Sequence, residues 1–318
     1  MLRIATRRSA LAQAQATQVG LALGVDFELV PLSTTGDRHP ERAVGAFDTK
    51  GLFVDAIRDA VLMGDCQLAV HSCKDLPSRA VPGLTLAAYP RREDPRDVLV
   101  TRDGHTVGTL PSVATIGTSS ARRGLQLLRI RPDLQVLPVR GNVDTRLRKV
   151  AEGEFDGVVV ALAGLRRLYT AVEAGGVGPL GLPLRAVTLE PGECLPAPAQ
   201  GALAIECRGD DAATRELLNA IDDPATRTVV TAERSFQQQL GGGCMTPIGA
   251  LATVTGDGLQ LAGMLGDPVH RRVLRQTATG AVEAPEQVAR QLAARIRELG
   301  GDAMLQHIAT QAQAAHGP

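Results

Sequence analysis

The chain has no tryptophan, and aromatic residues make up only 2% of its 318 positions. A stacking platform for single-stranded nucleic acid needs several aromatic faces, so that function class is disfavoured. Neither charge is in excess: 34 basic and 34 acidic side chains cancel to a formal net charge of zero. With no basic tail either, general binding to nucleic acid is disfavoured and only local basic patches remain. No run of about 18 apolar residues occurs, so no membrane-spanning helix is expected. The five cysteines, Cys66, Cys73, Cys194, Cys207 and Cys244, are odd in number and never form C-x-x-C. This argues against a disulfide framework and against a zinc ribbon. The six histidines never form H-x-x-x-H or H-E-x-x-H, and no metal site is expected. Lysine is scarce as well: only Lys50, Lys74 and Lys149 among 34 bases.

What is present is an ordinary globular composition, 44% hydrophobic and 21% charged, in a chain too long for one core. Two or three domains are expected. Arg7-Arg8 followed by Ser9-Ala10-Leu11-Ala12 imitates a twin-arginine leader. Gln13, Gln15 and Gln18 make the next stretch too polar for a signal core, and Leu2–Thr6 already reads as a strand. A cytoplasmic protein fits best.

Strand and helix alternate through the first two thirds. Strands are predicted at Leu2–Thr6, Phe27–Leu32, Gln67–His71, Asp97–Thr101, Val113–Gly117, Leu134–Val139 and Gly157–Ala161. Helices are predicted from Ser9 to Leu23, over Gly51–Met63, from Ser120 to Ile130 and from Val143 to Glu152. Such alternation implies α/β with mostly parallel sheets. After about residue 222 the pattern changes. A helix at Thr226–Leu240 precedes strands at Ile248–Val254, Leu259–Leu265 and Arg272–Thr277, then helices at Pro285–Leu299 and Asp302–Ala314. This reads as a separate α+β domain with an antiparallel sheet. Two segments break the alternation. Ser33–Lys50 is long, polar and without apolar period, as functional loops are. Glu173–Pro198 reads as a linker or crossover; its Gly176-Val-Gly178-Pro-Leu-Gly181 follows no strand, so it is not read as a dinucleotide site.

Arginines gather where helices follow strands: Ala5-Thr6-Arg7-Arg8-Ser9, Gly117-Thr118-Ser119-Ser120-Ala121-Arg122-Arg123, Arg140-Gly141-Asn142-Val143-Asp144-Thr145-Arg146 and Gly164-Leu165-Arg166-Arg167. Small residues there expose backbone N–H groups, and the helix dipole adds to them. Each cluster alone reads first as a set of surface ion pairs. Together, at the same ends of successive parallel strands, they converge on one crevice for a ligand with several negative charges. Lys74 and Asp75 end a buried strand in His71-Ser72-Cys73-Lys74-Asp75. They form either a surface ion pair or a carboxylate able to stabilise a developing cation. Cys244 sits in Gly241-Gly242-Gly243-Cys244, as a bland loop residue or an accessible thiol; Cys73 reads as partly buried and inert.

Eight collinear segments resemble the porphobilinogen deaminase (hydroxymethylbilane synthase) family. They are Ile4-Ala-Thr-Arg7, Lys50-Gly-Leu-Phe53, His71-Ser-Cys-Lys-Asp75, Arg92-Glu-Asp-Pro-Arg-Asp97, Gly117-Thr-Ser-Ser-Ala-Arg-Arg123, Arg140-Gly-Asn142 with Arg146, Gln200-Gly-Ala-Leu203 and Gly242-Gly-Cys244. The resemblance implies two doubly wound, periplasmic-binding-protein-like α/β domains plus a small α+β C-terminal domain with a three-stranded antiparallel sheet. The expected divisions are 1–91 with 199–220, 96–194, and 222–318. It implies a transferase of tetrapyrrole (haem) biosynthesis that condenses four porphobilinogen molecules head to tail into hydroxymethylbilane, releasing ammonia each time. The implied cofactor is dipyrromethane, held by a thioether on Cys244. Asp75 matches the catalytic aspartate. Lys74, Ser119, Arg122, Arg123 and Arg146 match cofactor-binding positions; Arg7, Ser9, Thr118, Arg140, Arg167 and Gln200 match substrate-binding ones. Ser33–Lys50 matches a mobile lid. The implied partners are porphobilinogen and the growing linear tetrapyrrole, with no nucleic acid or membrane, on a monomer. Departures are Cys73 where Met is usual, Ala199 where Gly is common, Gly241 where Glu is frequent, and Phe47-Asp48-Thr49 in a usually Gly-rich lid. The competing readings are a non-catalytic two-lobed binder of polycarboxylates or phosphates, and a paralogue that kept the fold and lost the activity.

Overall fold

The computed structural model describes residues 1–33, 54–77, 80–169, 179–241, 246–256 and 258–314. The segment Ser33–Lys50 beyond its first residue, Lys50-Gly-Leu-Phe53, Gly176–Gly178 and Cys244 lie outside the described residues.

The first sheet has the order β2-β1-β3-β10-β4, from β1 (Leu2–Arg7), β2 (Phe27–Leu32), β3 (Leu68–Ser72), β4 (Leu84–Ala88) and β10 (Leu203–Arg208). The second has the order β7-β6-β8-β5-β9, from β5 (Asp97–Thr101), β6 (Thr115–Gly117), β7 (Gln135–Leu137), β8 (Gly157–Ala161) and β9 (Arg185–Leu189). The two orders repeat one plan. In each sheet the fourth strand is the one that follows a crossing from the other, and it alone runs antiparallel to its neighbours. The sheets are therefore mostly parallel, as expected, with one reversed strand each. Helices α1 (Ala10–Leu23), α2 (Asp55–Leu62), α3 (Ala121–Ile130), α4 (Val143–Ala151), α5 (Leu162–Leu168) and α6 (Ala212–Asn219) flank them.

Side-chain alternation along β5 divides the second core. Val98 and Val100 pack with Leu147, Val150, Val158 and Val160 on one face. Leu99 packs with Ile116, Leu127 and Val159 on the other. A strand buried on both faces reads as a continuous apolar run, which is why β5 and β8 have the bounds read from sequence. Strands β4, β9 and β10 were not foreseen. β9 corrects the reading of Glu173–Pro198 as linker throughout: Arg185–Leu189 pairs along the whole length of β5.

The third sheet is antiparallel, β11 (Ile248–Thr255), β12 (Gly258–Asp267) and β13 (Arg272–Ala281) in that order. Helices α7 (Pro224–Gln239), α8 (Pro285–Ile296) and α9 (Asp302–Ala314) accompany it. Phe236, Leu261, Leu265, Val288, Leu292 and Ile296 form its core. Asp223 caps α7, accepting from the Thr226 amide at 2.7 Å, with Pro224 at the first helical position where its missing N–H costs nothing.

The two crossings, 89–96 and 190–202, lie against each other. Arg92 Nε donates to the Gln200 carbonyl at 2.8 Å, and Gln200 Nε2 to the Pro95 carbonyl at 2.8 Å. Gly201, at φ +86, is required here, because a Cβ would stand 2.3 Å from the Glu93 carbonyl oxygen. Helix α7 fastens this junction. Its fully buried Glu233 takes a bidentate ion pair from Arg92 at 2.7 and 2.9 Å and also accepts from the Ala199 and Ala252 amides. Ala199 itself has φ +60, the left-handed region that glycine favours.

Candidate active site

The functional side chains come from the C-terminal ends of the parallel strands, where open α/β sheets bind ligands. Ser9 caps α1, accepting from Ala12 N at 3.3 Å. Ser120 caps α3, accepting from Arg123 N, and Asn142 caps α4, accepting from Thr145 N at 3.0 Å. These caps turn the chain sharply from strand to helix and bring Arg7, Arg123 and Arg146 toward one crevice between the lobes. The fourth arginine cluster is differently built from its prediction. Helix α5 begins directly after β8 ends at Ala161, so Gly164-Leu165 lies inside the helix and Arg167 in its last turn. From there Arg167 still reaches the crevice, donating to the Gly201 carbonyl at 2.8 Å and to Gln18 Oε1 at 3.3 Å.

Two neighbouring cavities occupy the crevice. One, of about 110 Å³, is lined by Lys74, Arg123, Arg146 and Arg167. The other, of about 90 Å³, is lined by Arg7, Ser9, His71 and Asp75. They share Leu11, Gln15 and Ser72. Lys74 and Asp75 follow β3 on a one-turn 3₁₀ helix, Cys73–Asp75, whose tight winding points successive side chains about 120° apart. Hence Lys74 faces the first cavity and Asp75, which is exposed, the second.

Positive charge in the first cavity is only partly compensated. Burial lowers the pKa of Lys74 to about 8, although Asp75 opposes the shift. Burial lowers that of Arg167 to about 10. Arg146 is lowered too, by burial and then by the neighbouring Arg123. Cations whose protonated forms are disfavoured in this way call for an anion.

Behind the cavities stands Asp97, fully buried. Arg122 Nη2 donates to its Oδ2 at 2.8 Å, Arg123 Nη2 to its Oδ1 at 2.7 Å, and Gln200 Nε2 to its Oδ1 at 2.7 Å. Burial would raise this carboxyl's pKa, but the two guanidiniums hold it well below the usual range. Arg122 is committed inward, to Asp97 and the Leu195 carbonyl. Gln200 passes the arrangement on, accepting from Lys74 Nζ at 3.2 Å. Arg123 Nε is buried without a hydrogen-bond partner among the described residues.

Of the remaining candidates, Ser119 is exposed and donates to the Val139 carbonyl at 2.7 Å. Thr118 is buried and its hydroxyl accepts from Ser120 N at 3.2 Å. Arg140 is exposed. None of the three lines either cavity. Cys73 is wholly rather than partly buried, and burial pushes its thiol pKa up, which disfavours the reactive thiolate. Asp97 and Gln15 were not foreseen as site residues. The one signal was an acid opening an otherwise apolar strand, Asp97-Val-Leu-Val-Thr101. Because β5 runs antiparallel to β8, its first residue lies beside Ala161, the last of β8, at the crevice edge.

Residues 2–216 match the family model "porphobilinogen deaminase, dipyromethane cofactor binding domain", and residues 227–298 match "porphobilinogen deaminase, C-terminal domain". The porphobilinogen deaminase of Acidothermus cellulolyticus is 44% identical over 313 residues, covering 96% of this chain and 91% of that one. That of Roseiflexus castenholzii is 44% identical over 309 residues, covering 96% and 98%. That of Brevibacillus brevis is 45% identical over 284 residues, covering 87% and 88%. A solved periplasmic VFT2 domain of Bordetella pertussis BvgS superposes with a TM-score of 0.38 at 18% identity, over 69% of this chain and 86% of that one. By its matches to both family models and to these relatives over nearly its whole length, the chain belongs to the porphobilinogen deaminase family.

Proposed function

We propose that this chain is a porphobilinogen deaminase. It condenses four porphobilinogen molecules head to tail into hydroxymethylbilane, with release of one ammonia per condensation, in tetrapyrrole biosynthesis. The observation that carries the reading is the gathering of cations beside an exposed carboxylate: Lys74, Arg123, Arg146 and Arg167 in one cavity, Arg7 and Asp75 in the next. Each pyrrole unit brings an acetate and a propionate, so a growing chain supplies the anions that these cations call for.

The residues fit a dipyrromethane. Arg123 lines the first cavity, and its Nε is buried and unpartnered among the described residues, a donor that a carboxylate held there would satisfy. When bound, that group supplies the terminal pyrrole carbon to which the first substrate is joined. We assign its thioether to Cys244. Lys74, Arg123 and Arg146 would hold its carboxylates, with Ser119 at the rim. Arg122 acts at one remove, through Asp97, as does Gln200. Arg7, Ser9, Thr118, Arg140 and Arg167 are assigned to substrate.

In each condensation the aminomethyl C–N bond of the incoming porphobilinogen breaks and ammonia leaves. A carbon–carbon bond forms at the free α-position, and the α-proton departs. Positive charge develops on pyrrole nitrogen along the way. Asp75, accepting a pyrrole N–H hydrogen bond, stabilises that charge. The surrounding arginines neutralise substituents and fix orientation. We further propose that 1–91 with 199–220, 96–194, and 222–318 are the three domains, and that the protein acts as a cytoplasmic monomer without nucleic acid or membrane. No helix among the described residues is long and apolar enough to cross a membrane.

Intact mass of the purified protein beside Cys244→Ser tests the assignment, together with turnover of porphobilinogen. Excess mass equal to two deaminated pyrrole units, absent from the variant, supports it. An unmodified protein that porphobilinogen neither converts nor is consumed by would leave a binder or an inactive relative.

A further inference from the structure

In the third domain Asp267 ends β12, His270 lies in the turn to β13, and His307 sits on α9. None of them lines either cavity. Asp267 is 1% exposed, whereas both histidines are open to solvent. The carboxylate divides its work. Oδ1 accepts from the backbone N–H groups of Val269 at 2.9 Å and His270 at 3.2 Å, which is enough to hold the turn. Oδ2 is turned to two imidazoles, with His270 Nδ1 at 2.7 Å and His307 Nδ1 at 3.8 Å.

The first distance is that of a hydrogen bond, and the second is too long for one. Donors bound to one ion at about 2.0–2.1 Å in tetrahedral geometry stand roughly 3.4 Å apart, between the two, so an ion would open the His270 pair and draw His307 in. One ligand atom from each of the three residues lies within 4.8 Å of the others, and the imidazole rings are 5.1 Å apart and inclined by 44°. Two imidazoles and a carboxylate form a donor set of zinc-class ions, and the exposed side leaves a position for water. The 37-residue separation of the histidines hides the grouping from any spacing motif.

We propose that Asp267, His270 and His307 bind one divalent transition-metal ion of the zinc class, tying the last helix to the β12–β13 hairpin. Calorimetric titration of zinc into the full-length, cofactor-bearing protein tests this, with a melting curve at each zinc level. One equivalent should bind, raising the melting temperature. Binding should weaken as pH falls, since protons compete for imidazole nitrogen. Asp267→Asn and His307→Gln should each weaken binding by about tenfold or more, with turnover unchanged. Should Asp267→Asn fail to fold, His307→Gln, on the exposed side, still decides. Absence of zinc binding to the wild-type protein, or wild-type affinity in His307→Gln, overturns the proposal.

Discussion

Asp97 and Arg123 meet at 2.7 Å behind the crevice, and that contact, with the one from Nη1 to the Val159 carbonyl at 3.1 Å, fixes the guanidinium of a residue that lines the first cavity. Arg122 takes the other carboxylate oxygen. Replacing Asp97 by Asn keeps the shape and removes the carboxylate charge that pairs with both arginines. The expected loss is about 3–5 kcal/mol of stability, the range for a buried pair deprived of one partner. Urea denaturation measures it. A variant as stable as wild type would mean that the arginines turn outward unaided.

Asp75 is exposed and caps nothing, so Asp75→Asn should leave stability within about 0.5 kcal/mol. The cofactor should remain attached, while turnover falls by roughly 10²–10⁴-fold, the usual span for a positioned carboxylate. Mass spectrometry and a steady-state assay read the two effects separately. Near-normal turnover would remove Asp75 from the mechanism.

Lys74 carries a pH dependence of known sign. Burial holds its pKa at about 8, below the 10.5 of a free lysine. At pH 7 it is charged and attracts a cofactor carboxylate; above about pH 8 it loses the proton, and loading of cofactor-free protein by porphobilinogen should slow. Between those two values the unfolded chain holds the extra proton, so this residue's unfavourable contribution to stability fades as pH increases. Lys74→Arg should flatten the fall in loading rate between pH 7 and 9.5, followed by intact mass. An unaltered profile in the variant would assign the fall to another group.

Ala199 pays a conformational cost at φ +60 that glycine avoids. Ala199→Gly should stabilise the protein by about 0.5–1 kcal/mol, net of the extra freedom of the unfolded chain. Thermal melts would check it, and a lower melting temperature would show that the buried methyl group's packing outweighs the strain.

Local signals were readable and distant ones were not. The helices that follow Ser9, Ser120 and Asn142 were read close to their observed bounds, because those capping residues stand beside them in the chain. β9 hides in a Gly- and Pro-rich stretch because an edge strand needs little apolar pattern. β10 carries Glu206 in the middle of a buried run, and only the fold explains it: Arg58, 148 residues earlier, clasps that carboxylate at 2.7 and 2.8 Å. The arginine clusters implied a polyanion crevice, but Asp97, which holds two of those arginines, is far away in sequence. The roles of Thr118, Ser119 and Arg140 rest on resemblance, and Cys244 lies outside the described residues.

The exchanged fourth strands set a timetable for synthesis. Everything in the second sheet lies between residues 97 and 189, so a chain leaving the ribosome can close that lobe as soon as β9 emerges. The first sheet, begun much earlier, must wait for β10, because β3 and β4 have no ladder between them until it arrives. The lobe that starts first thus finishes second.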